Sequence, residues 1–233
     1  MQPQIQPAAL QEKTTRTACP LTLAVSDIRL VNSKRITLNY EVKDVGPSGI
    51  TDVELWCTRD GLTWKKRETL HQAHPPCVVD VEDEDLYGFT LVVHSGAGLG
   101  RQPQEGDQPQ VWVEVDVTKP TVQLLGVEAG KGVNNRQLTI LWKATDKNLG
   151  ARPITLAYAA QADGPWFPIA TELENTGRFV WNMPKEAPHQ LFVRVEAVDL
   201  VGNIGLAQTP NALLDDLSQP TISITKVEGS PKE

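Results

Sequence analysis

The sequence predicts an all-β chain: two tandem seven-stranded antiparallel sandwiches, followed by the first strand of a third repeat. Three observations carry this. The chain repeats itself, since Pro20-Leu21-Thr22-Leu23, Pro120-Thr121-Val122-Gln123 and Pro220-Thr221-Ile222-Ser223 open alike, and the last two stay aligned as far as Glu128 and Glu228. Period-2 alternation of apolar and polar residues recurs along the chain, while helical periodicity is almost absent. Turn residues punctuate the apolar runs. A repeat of this length marks domains in tandem, not a solenoid of short units.

Four segments follow. Residues 1–17 are polar and rich in Gln, Pro and Thr, the composition of a flexible tail or linker. Residues 18–119 and 120–219 are each long enough to bury a core unaided. Residues 220–233 begin a third repeat, as expected of a segment cut from a longer protein, and should lie exposed or borrow a neighbouring edge.

The strands are read in order. In Arg35-Ile-Thr-Leu-Asn-Tyr-Glu-Val42, Ile36, Leu38, Tyr40 and Val42 share one face. Its counterpart, Gln137 to Ala144, puts Leu138, Ile140, Trp142 and Ala144 on one face. A strand near 51–58 turns Val53, Leu55 and Cys57 inward, and one near 153–160 turns Leu156, Tyr158 and Ala160 inward. Each leads into Asp-Gly, at Asp60-Gly61 and Asp163-Gly164, which favours a tight hairpin. A tryptophan follows each turn, Trp64 and Trp166. Next come Cys77, Val79 and Val81 against Phe179, Trp181 and Met183, then Phe89–Ser95 against Leu191–Ala197. A final strand runs into Asp116-Val-Thr-Lys-Pro120 and Asp216-Leu-Ser-Gln-Pro220. About seven short strands per repeat suggest an immunoglobulin-like or fibronectin-III-like sandwich rather than a barrel.

Phe192-Val-Arg-Val-Glu-Ala-Val-Asp-Leu-Val-Gly-Asn-Ile-Gly205 resembles the penultimate strand and turn of bacterial immunoglobulin-like and fibronectin-type-III-like repeats. The Asp-x-x-x-Pro junctions and the Asp-Gly…Trp turns are similar to theirs, and the resemblance covers residues 20–219. It implies a large, multi-domain, extracytoplasmic bacterial protein whose modules act as spacers or binding platforms. The first repeat departs from the pattern, with Ser95-Gly-Ala-Gly-Leu-Gly100 in place of the Asp and Gly-Asn turn.

Charge excludes one class of partner. The net charge is −7, with 10 basic against 16 acidic residues over 20–119 and 8 against 10 over 120–219. An acidic chain with no basic stripe is not built for nucleic acid. No apolar run has the length of a membrane span. The start lacks the basic and apolar regions of a secretory leader. Three cysteines, Cys19, Cys57 and Cys77, are too few for a disulfide scaffold. Cys57 and Cys77 fall on inward faces of different strands, either as buried thiols or as a bridge.

Few residues offer chemistry. Glu82-Asp83-Glu84-Asp85 could supply oxygens to calcium, although such runs are commonly solvated loops. His71-Gln-Ala-His-Pro-Pro-Cys77 has zinc-ligand types, but Cys77 faces the core and the second repeat has no such set. Gly96-Ala-Gly-Leu-Gly100 lacks the helix that a phosphate loop needs. Thr58-Arg-Asp-Gly-Leu-Thr-Trp64 resembles the Asp-box of propellers, one residue short, but the long period excludes propeller blades. No histidine sits beside a nucleophile in a triad arrangement. Trp56 and Trp112 are the aromatics best placed to bind a partner; the other tryptophans align at core or turn positions.

The expected function is therefore non-catalytic and cofactor-free: a spacer or docking module among neighbouring repeats of one parent chain, with a protein or polysaccharide partner. The alternative is a carbohydrate- or substrate-binding ancillary pair of a secreted hydrolase.

Overall fold

A computed structural model describes residues 28–43, 45–71, 75–98, 100–130, 136–214 and Lys226. The described residues contain strands and no helix. The first half comprises β1 (Ile28–Val31), β2 (Arg35–Leu38), β3 (Ile50–Thr58), β4 (Lys65–His71), β5 (Cys77–Asp80), β6 (Leu86–Ser95) and β7 (Val111–Val115). The second comprises β8 (Thr121–Ala129), β9 (Gln137–Thr145), β10 (Leu149–Ala159), β11 (Phe167–Leu173), β12 (Arg178–Asn182), β13 (Gln190–Asp199), β14 (Ile204–Gln208) and the two-residue β15 (Leu213–Leu214). No described segment is a helix long and apolar enough to cross a membrane.

In the second half, a sheet ordered β12-β9-β8 faces one ordered β11-β10-β13-β14, with β15 paired to β13. This is a fibronectin-III-like, all-β sandwich. The alternation of β9 turns Leu138, Ile140, Trp142 and Ala144 inward, where they meet Ile154 and Leu156 of β10 and Leu191, Val193, Val195 and Ala197 of β13. Trp181 and Met183 close the same core. The Tyr158 ring packs 4.9 Å from that of Trp181.

In the first half, one sheet is ordered β1-β7-β6-β3-β4, and β2 pairs with β5 in the other. Its separate core holds Leu55, Cys57, Cys77, Val79, Tyr87, Phe89, Val113 and Val115. Cys57 and Cys77 are buried free thiols on strands of different sheets. The first described strands of the two halves pair differently. β8 runs antiparallel to β9, whereas β1 runs parallel to β7.

The structure corrects two expectations. The Asp-Gly turns are wider than tight hairpins, spanning 59–64 and 160–166. At the first, side chains replace the ladder: the Asp60 carboxylate accepts from the Leu62 and Thr63 amides, and the Thr58 hydroxyl from those of Asp60 and Gly61. Ala160 lies past the end of β10 and is exposed; Ile154 takes the inward place. The ladder of β2 ends at Leu38, but Leu38 and Tyr40 pack with Ile36 against the core, and Val42 is half-buried. Residues 20–23 and 220–225, two of the repeat starts, lie outside the described residues.

Candidate functional site

Two asparagine-bearing turns of the second sandwich converge on the last residue of the first. Asp116 follows β7 and is only 5% exposed. Its amide donates to the Val31 carbonyl at 2.9 Å, which ties it to β1. Its carboxylate accepts from the Thr118 amide at 3.1 Å and from Asn148 Nδ2 at 2.6 Å. Its carbonyl accepts from Asn203 Nδ2 at 3.0 Å.

Local sequence builds both turns. In Asp146-Lys-Asn148 the Asn148 amide donates to Asp146 Oδ1 at 2.7 Å, an Asx turn. In Asp199-Leu-Val-Gly-Asn203 the Asp199 carboxylate accepts from the amides of Val201 and Asn203 and from Asn203 Nδ2, at 2.8–2.9 Å. Gly202 supplies the positive φ, 89°, that this turn requires. The Leu200 amide donates to the Asn148 carbonyl, joining the two turns. Each asparagine amide can thus serve its own turn through the backbone and reach Asp116 through its side chain.

Asp116, Asp146 and Asp199 each present an oxygen within 4.8 Å of the others. These are the described residues that could hold a cation. Calcium takes six to eight oxygens, and amide donors already reach all three carboxylates. Lys147 ion-pairs with Glu114 across the same junction, and that contact raises the Lys147 pKa, outweighing partial burial, which lowers it. A cleft of about 500 Å³ beside them is lined by Glu84, Asp116, Thr118, Lys119, Asp146 and Lys147.

The four acids singled out in sequence diverge. Asp83 and Asp85 both pair with Arg59, at 2.9 and 3.3 Å. Glu82 offers its backbone carbonyl to Lys34. Glu84 turns to the junction, where it accepts from the Thr118 hydroxyl at 2.7 Å and the Val117 amide at 2.6 Å. Trp56 is half-buried on the first sandwich and donates to Glu54 at 2.9 Å. Glu54 is buried. Burial pushes its pKa up, but bonds from Lys66, Trp56 and His94 outweigh this and hold it below the ordinary value. Trp112 is buried, opposite Gly88. His74 lies outside the described residues, and Cys77 is in the core. Sequence reasoning placed Asp116 where a final strand ends and Asp199 in a turn, but did not bring them together with Asp146; the asparagines a few residues after Asp146 and Asp199 were the available signal.

The Thr118 hydroxyl, then the Val117 amide, depress the Glu84 pKa. Contacts to a carboxylate of depressed pKa are intact above its unfolded value and are lost as pH falls through the folded one. Acidification should therefore release residues 117–118 before the cores unfold. An amide-resolved NMR titration should show Val117 and Thr118 moving together below the ordinary glutamate range, and Glu84→Gln should abolish that step.

No family model and no curated protein matches the chain. Solved structures similar to it include two sets of fibronectin-type modules. The fibronectin(III)-like modules of Clostridium thermocellum CbhA share 17% identity at a TM-score of 0.43, over 78% of this chain and 86% of that one. The FN1–FN3 domains of chicken CNTN1 share 19% identity at a TM-score of 0.31, over 76% of this chain and 61% of that one.

Proposed function

We propose that the chain is a non-catalytic structural and interaction unit of a larger extracytoplasmic protein. It comprises two sandwich modules, 18–119 and 120–219, that hold a fixed relation so that they space or present neighbouring parts. The observation that carries this reading is Asp116, which accepts from Asn148 and Asn203 of the following sandwich at once. Only Val117, Thr118 and Lys119 separate Asp116 from Pro120, and proline fixes φ where the next strand begins. Two hydrogen bonds to the residue before so short a linker oppose bending of one module against the other.

The expected result is a narrow distribution of inter-module angles in small-angle scattering. A hydrogen bond of this kind contributes about 1 kcal/mol net. The double variant Asn148→Ala/Asn203→Ala should therefore broaden the distribution without unfolding either core. Wide, independent motion in the unmodified protein would refute the reading.

A further inference from the structure

The two sandwiches fill one equivalent corner differently. In the second, Tyr158 ends the inward run Ile154, Leu156, Tyr158 of β10 and stands opposite Phe167, the residue after Trp166. The Tyr158 ring centre lies 5.7 Å from that of Phe167 and 4.9 Å from that of Trp181 on β12, so three aromatic rings plug the corner. In the first sandwich the inward run is Val53, Leu55, Cys57 of β3, and Cys57 stands opposite Lys65, the residue after Trp64. Val79 of β5 takes the place of Trp181, since it pairs with Ile36 as Trp181 pairs with Leu138. A thiol, a lysine and a valine thus stand where three rings stand in the repeat, and side-chain volume is missing. A cavity of about 500 Å³ opens there, with Cys57, Arg59, Lys65, Arg67, Glu82 and Tyr87 in its wall. Small-molecule sites have roughly 300–1,000 Å³.

Most charges of the wall are already engaged. Arg59 pairs with Asp83 and Asp85 and lies over the Tyr87 ring. The Asp60 carboxylate is held by the amides of its own turn. Lys65 and Arg67, by contrast, have no carboxylate partner among the described residues. Cations that only kept an edge strand solvated would point away from the core. These reach inward: burial pushes the Cys57 thiol pKa up, while Arg67, Arg59 and Lys65 pull against it. Glu82 is the wall's carboxylate without a side-chain partner, so two unpaired cations face one unpaired acid and a single positive charge is left over.

We propose that this cavity binds a planar aromatic ring carrying one negative charge, the ring seated where Tyr158 and Phe167 place theirs in the second sandwich and the acid group held by Lys65 and Arg67. An aliphatic acid would leave the ring-shaped space unfilled, and a neutral ring would leave the two cations unpaired. Arginine suits the role, since its planar fork both stacks on rings and grips acidic oxygens. The site lies within the first sandwich and is independent of how the modules are joined.

Phenyl sulfate, whose charge does not titrate, is the probe. Added at millimolar concentration to the full chain, it should shift the amide NMR signals of 57–67 and leave those of the matching hairpin, 158–169, in place. Sulfate ion and benzyl alcohol, which carry the charge and the ring separately, should each bind at least about tenfold more weakly. Lys65→Phe, which restores the ring of the second sandwich, and Arg67→Met should each weaken phenyl sulfate by a similar factor. Both residues are exposed, so the variants should keep the remaining amide spectrum; where Lys65→Phe does not, Lys65→Met replaces it with the same expected loss. No shift at 57–67 would overturn the proposal. So would equal binding of sulfate ion or of benzyl alcohol, equal shifts in the two hairpins, or full binding by the folded variants. A short sulfotyrosine peptide that binds more tightly than phenyl sulfate would place the ring on a partner chain. Equal binding would make the ligand a free aromatic acid, and either result supports the site.

Discussion

Trp142→Ala should unfold the second sandwich well before the first. Trp142 is 2% exposed at the centre of its core. Its indole nitrogen donates to Asn175 Oδ1 at 3.0 Å, and Asn175 Nδ2 in turn donates to the Ala144 carbonyl at 2.9 Å. The substitution removes the largest side chain of β9 and strands the Asn175 acceptor. Replacing a buried tryptophan by alanine costs about 3–5 kcal/mol, a large part of the roughly 5–15 kcal/mol that stabilises a typical domain. The first sandwich has its own core, and no residue of it belongs to the cluster around Trp142. Calorimetry should therefore show one transition falling sharply and the other staying in place. If both fall together, the chain is one cooperative unit and a boundary near residue 119 is wrong.

Gly205→Ala should be nearly as damaging, through a different cause. Gly205 lies on β14, where a Cβ would run into the Pro120 carbonyl oxygen. That obstacle is backbone at the first residue after the linker, and no rotamer change can relieve it. Forcing extra atoms into a packed site costs about 1–3 kcal/mol. Here the displacement would also pull β14 away from the start of β8, so a value at the top of that range is expected by denaturant titration. Gly126 on β8 is the control: nothing lies within 4 Å of its added Cβ, so Gly126→Ala should be neutral or slightly stabilising. Equal costs at the two positions would show that the loss is one of strand propensity and not of contact with Pro120.

Much of the fold was legible in the sequence because strand alternation is a local signal. The faces of β3, β5, β9 and β12 follow from period-2 patterns, and the buried Val53, Leu55, Cys57, Trp142, Trp181 and Met183 lie where those patterns put them. Turn width was less legible. Asp60-Gly61 satisfies the rule for a tight hairpin, yet the Asp60 and Thr58 side chains satisfy the backbone of a longer turn. The pairing of β1 was not legible. It runs parallel to β7, in the sheet opposite the one that holds β2, and strand pairing is decided by tertiary partners. The junction was half legible. The asparagine turns around Asp146 and Asp199 can be read from local spacing, whereas their meeting on Asp116 depends on how the two sandwiches abut. A run of acids, by contrast, catches the eye in sequence and disperses in space, because successive loop residues point in different directions.

The parallel pairing of β1 with β7 has a mechanical meaning. A pull on the two ends of the first sandwich draws β1 from its Ile28 end and β7 from its Val115 end. In a parallel pair these forces are opposed along the strand axis, so the contacts from Ile28 opposite Trp112 to Val31 opposite Val115 are strained together, in shear. An antiparallel pair loaded through adjacent ends would instead peel open one bond at a time. Beyond Val115 the load passes along the covalent linker to Pro120, while the bonds from Asn148 and Asn203 steady Asp116, whose own amide is anchored to Val31. The first sandwich thus resists extension between Ile28 and Val115 through the whole β1–β7 register at once.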